Sequence, residues 1–199
     1  QHVATLAIHG ADVVYLAQDR RLEQYSTDVF TALLVKAIRE QRPGVVLFGS
    51  TTLGRDLAPR VAARLGLGLT GDCVDLDIND KGQLLQYKPA FGGNIVAPVL
   101  SRTAPEMATV RPGMLKKAQA NPARQARIEM LWPDDAVTSR VKIVSQTGSD
   151  AGKAAALDSA EISISNPELP NSSISFLFRT SLKKSSTLCA IFTPISSTL

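Results

Sequence analysis

Apolar positions along this chain recur with two different periods, and the two periods take turns. Val45 to Phe48, four apolar residues between Pro43-Gly44 and Gly49, read as a short strand buried on both faces, as in a parallel sheet. From Leu53 onward Leu57, Val61 and Leu65 return every fourth residue beside Ala58 and Ala62, while Arg55, Asp56, Arg60 and Arg64 largely hold the opposite side of a helix. Ser50, Thr51 and Thr52 can supply the N-cap, and Gly66 is the expected stop. Pro59 conflicts with a regular helix because it has no N–H for the carbonyl four residues back, so a kink or a late helix start is expected.

The same alternation runs upstream. Val3 to Ile8 reads as the end of a helix, Gly10 as its stop, and Asp12 to Ala17 as a β-branched strand. Ser26 or Thr27 can cap a helix running to about Gln41, with Phe30, Leu33, Leu34, Ala37 and Ile38 as its apolar stripe. Strands alternating with helices of about 10 to 15 residues point to parallel strands joined by right-handed crossovers. The expected class is therefore α/β: a Rossmann-like, mostly parallel sheet with helices on both faces.

From Leu67 the runs shorten into strand-like stretches, Leu69 to Ile78, Gln83 to Lys88, Ile95 to Leu100 and Ala108 to Val110. Between them stand the turn signals Asn79-Asp80-Lys81-Gly82, Gly92-Gly93-Asn94 and Arg102 to Pro105, so a β-rich extension is expected. A basic linker, KKAQANPARQ, precedes two more apolar runs, Ile128 to Trp132 and Val141 to Ser145, and a last helical pattern at Ala151 to Leu157. Residues 159–199 hold 11 serines where the preceding 158 hold 6, and no stripe or clean alternation organises them. The expected organisation is an α/β domain over 1–112, a linker with final strands and helix over 113–162, and a non-native or disordered tail over 163–199. Since the chain opens on Gln1 in apolar helix-like text, its natural amino terminus is expected to lie upstream.

Composition narrows the function classes. With 199 residues, 44% of them hydrophobic, the chain can bury one good core. A net charge of +4, spread along helices without interleaved aromatics, argues against nucleic-acid binding. Cys73 and Cys189 alone, far apart, suit a reducing compartment, and cytoplasm is the expectation. No run reaches the roughly 20 apolar residues of a membrane span, so membrane insertion is not expected.

Candidate chemistry is sparse. Gly49-x-x-x-x-Gly54 between strand and helix has the placement of a phosphate loop, but Arg55-Asp56 replaces the required Lys-Ser/Thr, and a glycine-lined turn packing helix on strand is the better reading. Asp72, Asp75, Asp77, Asn79 and Asp80 fail as a calcium loop, with Asp80 where glycine is needed and Gln86 where the bidentate Glu would stand; a hairpin turn is expected. His2 and His9 have no metal-spaced partners, and nothing pairs either with Ser50 or Ser101, so neither a metal nor a catalytic site is assigned. Cys73 reads as a small core residue. Two segments exceed what packing alone would ask for. Gly92, Gly93 and Asn94 permit close backbone approach, and Arg111 before Pro112 is held in extended backbone at a strand end. An ordinary loop and a solvated arginine remain the alternative at both.

GSTTLGRDLAPRVAARL, GLTGDC, YKPAFGGNIVA and PEMATVRPG, in this order and spacing, resemble the amino-terminal domain of the alpha subunit of electron transfer flavoproteins. The resemblance covers about residues 3–162, and MATVRPG is more similar to the bacterial, anaerobe and nitrogen-fixation-linked branch than to the mitochondrial one. It implies a heterodimeric electron carrier, paired with a beta subunit, passing electrons through FAD between dehydrogenases and a quinone reductase or other acceptor, with the flavin doing the redox chemistry. It also implies that Gly92, Gly93, Asn94, Arg111 and Pro112 face the partner subunit or its cofactor. In the family the FAD is held by a carboxy-terminal domain opening on an SGGRG-like segment; here AEISISNPELP stands there, and no glycine follows Gly152. No FAD ligand is therefore assigned, and the chain alone is expected not to bind it. A stand-alone nucleotide-binding domain using Gly49 to Arg55 is the competing reading, and a hydrolase on the same sheet a remoter one.

Overall fold

The computed structural model describes residues 2–141, 144, 173–179 and 189–193. After a short helix α1 (His2–Ile8) come β1 (Val13–Gln18), α2 (Thr27–Gln41), β2 (Val45–Gly49) and α3 (Thr52–Leu65), the expected alternation. Then follow β3 (Leu69–Cys73), β4 (Asp75–Ile78), β5 (Leu84–Ala90), β6 (Ile95–Val99), β7 (Glu106–Val110) and β8 (Arg127–Leu131), with β9 (Ser173–Arg179) and β10 (Cys189–Thr193) near the end of the chain.

Seven strands form one sheet in the order β3-β7-β2-β10-β9-β1-β8, parallel throughout except for β9. Strand parity sorts its side chains. Tyr15 and Ala17 of β1, Val46 and Phe48 of β2, Met107 of β7 and Leu131 of β8 pack with Phe30, Leu33 and Leu34 of α2 and Leu57, Ala58 and Val61 of α3 in one buried cluster. The opposite residues of the central strands, Val45, Leu47 and Ala108, meet Cys73 and Leu84, because the antiparallel sheet β4-β5-β6 covers that side. α1 rests against β1. A mostly parallel sheet flanked by helices and extended by a β-rich unit is the architecture read from the periodicity.

Details differ from the expectations in three places. α3 starts at Thr52, with Thr51 accepting from the Gly54 amide at 3.2 Å, and continues past Pro59 to Leu65, so the late start does not occur. Pro59 lies on the exposed side, where its ring meets solvent and only the bond to the Arg55 carbonyl is forgone. The run Leu69 to Ile78 is two strands in two sheets. Asp72 takes a left-handed backbone (φ 62°) and the Val74 amide turns to the Tyr87 carbonyl, so the chain leaves the large sheet for the small one. Within the serine-rich end, residues 173–179 and 189–193 form strands paired between β1 and β2, where no strand alternation was expected. The rest of 163–199, the helix expected at 151–157 and most of the run at 141–145 lie outside the described residues.

Because six strands are parallel, the loops following β1, β2, β3, β7 and β8 gather at one edge of the sheet. In open α/β sheets that carboxyl edge is where ligands and partners are met.

Candidate functional site

The centre of this edge is built by β2, β3 and β7. β7 brings Arg111 there directly: its amide donates to the Cys73 carbonyl at 2.8 Å, and Pro112-Gly113 (Gly113 φ 79°) turns the chain away at once. One strand over, the Asp72 amide donates to the buried Thr109 hydroxyl at 2.7 Å, which holds its unusual backbone in place. Its carboxylate then meets Arg111 as a fork, Nη2 to Oδ2 at 2.5 Å and Nε to Oδ1 at 3.3 Å.

From the first turn of α3, Arg55 reaches the same carboxylate. Its Nη2 lies 3.4 Å from Asp72 Oδ1 and its Nε donates to the Ser50 hydroxyl at 3.1 Å, while that hydroxyl donates to Oδ1 at 3.1 Å. The Arg111 guanidinium is the chief reason the Asp72 carboxyl sits below its usual range. Two guanidiniums on one carboxylate leave a net positive charge. Their side chains are 45% and 62% exposed, so the charge is presented outward while its geometry is fixed from within. Lys88 of β5 adds a third cation nearby, donating to the Gly71 carbonyl at 3.1 Å.

The neighbouring Gly49 to Gly54 loop is a packing device. A β-carbon on Gly54 would fall 1.8 Å from the Gly49 carbonyl oxygen, so glycine is what lets α3 begin directly over the end of β2. Gly92, Gly93 and Asn94 stand elsewhere, at the tip of the β5–β6 hairpin in the small sheet. There Phe91, Gly92 and Gly93 all have positive φ (49°, 69° and 92°), and the tip projects Phe91 at 81% exposure. Arg111 and Pro112 thus belong to one sheet and the glycine pair to the other, joined through Lys88 and the β3–β5 contact.

Other candidates resolve into structural roles. The Asn79 side chain accepts from the Lys81 and Gln83 amides, making the acidic stretch a hairpin turn. Cys73 is fully buried, and burial pushes its thiol up to about 11, so it stays protonated. His9 is bonded to the Ala118 carbonyl, and Ser50 is committed to Asp72 and Arg55. In the sequence Asp72 and Arg55 were weighed only in other motifs and missed as partners of Arg111, and topology is the reason. Asp72 lies 39 residues from Arg111 and becomes its partner only because β3 pairs with β7.

Two open clefts, about 570 and 440 Å3, are lined mainly by charged and polar side chains.

Fold and site together define a doubly wound α/β domain whose carboxyl edge carries a braced positive surface. Residues 1–136 match the electron transfer flavoprotein domain, and the chain belongs to that family. Similar proteins include an electron transfer flavoprotein subunit alpha of Thermoanaerobacterium thermosaccharolyticum, 40% identical over 78% of this chain and 48% of the relative. Protein FixB of Clostridium saccharobutylicum is 45% identical over 61% of this chain and 37% of the relative. The acryloyl-CoA reductase electron transfer subunit beta of Anaerotignum propionicum is 34% identical over 70% and 46%. The chain spans between about a third and a half of the length of such relatives.

Proposed function

We propose that the chain is the amino-terminal, partner-docking portion of an electron transfer flavoprotein alpha subunit, an electron carrier component without a catalytic site of its own. The observation that carries the reading is the pair of exposed guanidiniums, Arg111 and Arg55, held on Asp72 at the carboxyl edge of the sheet. Planar, pre-oriented guanidiniums recognise a carboxylate or phosphate with two parallel bonds, which a lysine cannot reproduce. In this reading they face the beta subunit or its cofactor, with Pro112 setting the strand end and Gly92, Gly93 and Asn94 offering a second contact at the hairpin tip. FAD belongs to the part of the carrier beyond the matched region. Dehydrogenases would be the donors and a quinone reductase or other redox protein the acceptor, in the cytoplasm. Among the described residues no helix is long and apolar enough to cross a membrane.

The competing reading, nucleotide binding by the Gly49 to Arg55 loop, is disfavoured because Gly54 is used against Gly49 and Arg55 against Ser50 and Asp72. The test is assembly of the chain with a beta subunit of the family, with and without Arg111→Ala. Assembly is expected to weaken about tenfold, the equivalent of about 1.4 kcal/mol, while the thermal midpoint of the chain moves little, because half-exposed ion pairs contribute under about 1 kcal/mol. Loss of stability with unchanged assembly and flavin reactivity would reduce Arg111 to a structural brace.

A further inference from the structure

A second positive feature lies at the same edge, where the loops after β1 and β8 line an open cleft of about 570 Å3. Four arginines line it, Arg20, Arg21, Arg60 and Arg140, against two acids, Glu23 and Asp28. Arg21 is the wall: it is forked onto Asp19 at 2.8 Å and donates to the Asp134 and Val137 carbonyls at 2.9 and 3.1 Å, clamping the loop after β8. Arg60 and Arg140 converge on one carboxylate, with Nη2 atoms 2.8 and 3.0 Å from Asp28 Oδ1 and Arg140 Nε 3.0 Å from Oδ2. Among the described residues Arg20 has no carboxylate within ion-pair distance.

A guanidinium has five N–H donors. Arg60 gives one of them to Asp28 and Arg140 two, so both keep donors for a second anion. The cleft is far larger than one simple anion and falls within the roughly 300 to 1,000 Å3 range of small-molecule sites. We propose that it binds an organic phosphate carrying a diphosphate group, with Arg20 and Arg140 as its principal contacts. Asp28 is the internal anion that keeps Arg60 and Arg140 in position when the cleft is empty. The site is separate from the Arg111 surface and does not depend on the chain's role as a carrier.

Calorimetric titration of the 199-residue chain with pyrophosphate and with ADP tests this, with sulfate and adenosine as controls. Pyrophosphate and ADP should bind, and sulfate and adenosine should give no saturable heat. Arg20→Gln, which breaks no ion pair among the described residues, should weaken binding about tenfold, as expected for loss of a charge-assisted contact. Asp28→Asn should tighten it, because a competing carboxylate is gone, with thermal melts confirming that both variants fold. No saturable heat with either phosphate compound, equal binding of sulfate, or affinity unchanged by Arg20→Gln would each overturn the proposal.

Discussion

Gly54 and Glu106 show how single side chains set limits on this fold. With the Gly49 carbonyl oxygen 1.8 Å from the position of a β-carbon, Gly54→Ala must push α3 off the end of β2. We expect a loss of about 3 kcal/mol, read as a lower urea midpoint. Glu106 opens β7 and accepts from the Leu84 amide at 3.1 Å; burial raises its carboxyl above the ordinary range. Beside it lies the fully buried Gln86, whose side chain acts against that rise. A raised carboxyl means that, between the unfolded and folded pKa values, the native state holds more protons than the unfolded one, so stability falls as pH rises through that window. Glu106→Gln removes this dependence together with the cost of burying the charged form. The variant should be more stable than the parent at neutral pH by about 1 kcal/mol, with the gain shrinking as pH falls into the ordinary carboxylate range. Thermal melts at several pH values would show it.

At the scale of elements, α3 is the part most fully legible in the sequence, and Pro59 is where that reading needed correction. The apolar stripe Leu57, Val61 and Leu65 and the Gly66 stop come from local spacing alone, and the helix forms on those terms. The proline was expected to kink or delay it; the start is not delayed, and the helix continues past Pro59, whose interrupted bond faces solvent. The forgone bond still has an energetic cost. Pro59→Ala should raise stability by about 2 kcal/mol, the helix-interior penalty of proline less the added freedom of the unfolded chain, measured by urea unfolding. If stability instead falls, the proline ring is packing in a way its exposure does not reveal. β3 and β4 were harder to read. A continuous run of strand-forming residues carries no mark of the point at which a chain changes sheets, and here that point is a backbone turn at Asp72.

For the molecule as a whole, local periodicity was enough to establish the class of fold but not which strands are neighbours. Arg111 could be singled out because Pro112 and Gly113 stand next to it in the chain. Asp72, Arg55 and Ser50 could not, because only the pairing of β3, β7 and β2 makes them its surroundings. The strands at 173–179 and 189–193 were missed for a related reason. Their serine-rich setting hides the alternation, and their place between β1 and β2 is long-range information.

Cys73 adds a practical consequence. It follows Asp72 directly, its amide neighbourhood is tied to β7, it is fully buried, and its thiol remains protonated at any ordinary pH. An alkylating reagent needs both access and thiolate, so iodoacetamide should leave this sulfur untouched until β3 comes away from the sheet. Peptide-resolved labelling of Cys73 is therefore a stopwatch for the opening of the strand that braces Arg111. Its rate should be negligible in native buffer and climb with urea in step with unfolding. Appreciable labelling without urea would mean that this edge breathes independently of the rest of the domain.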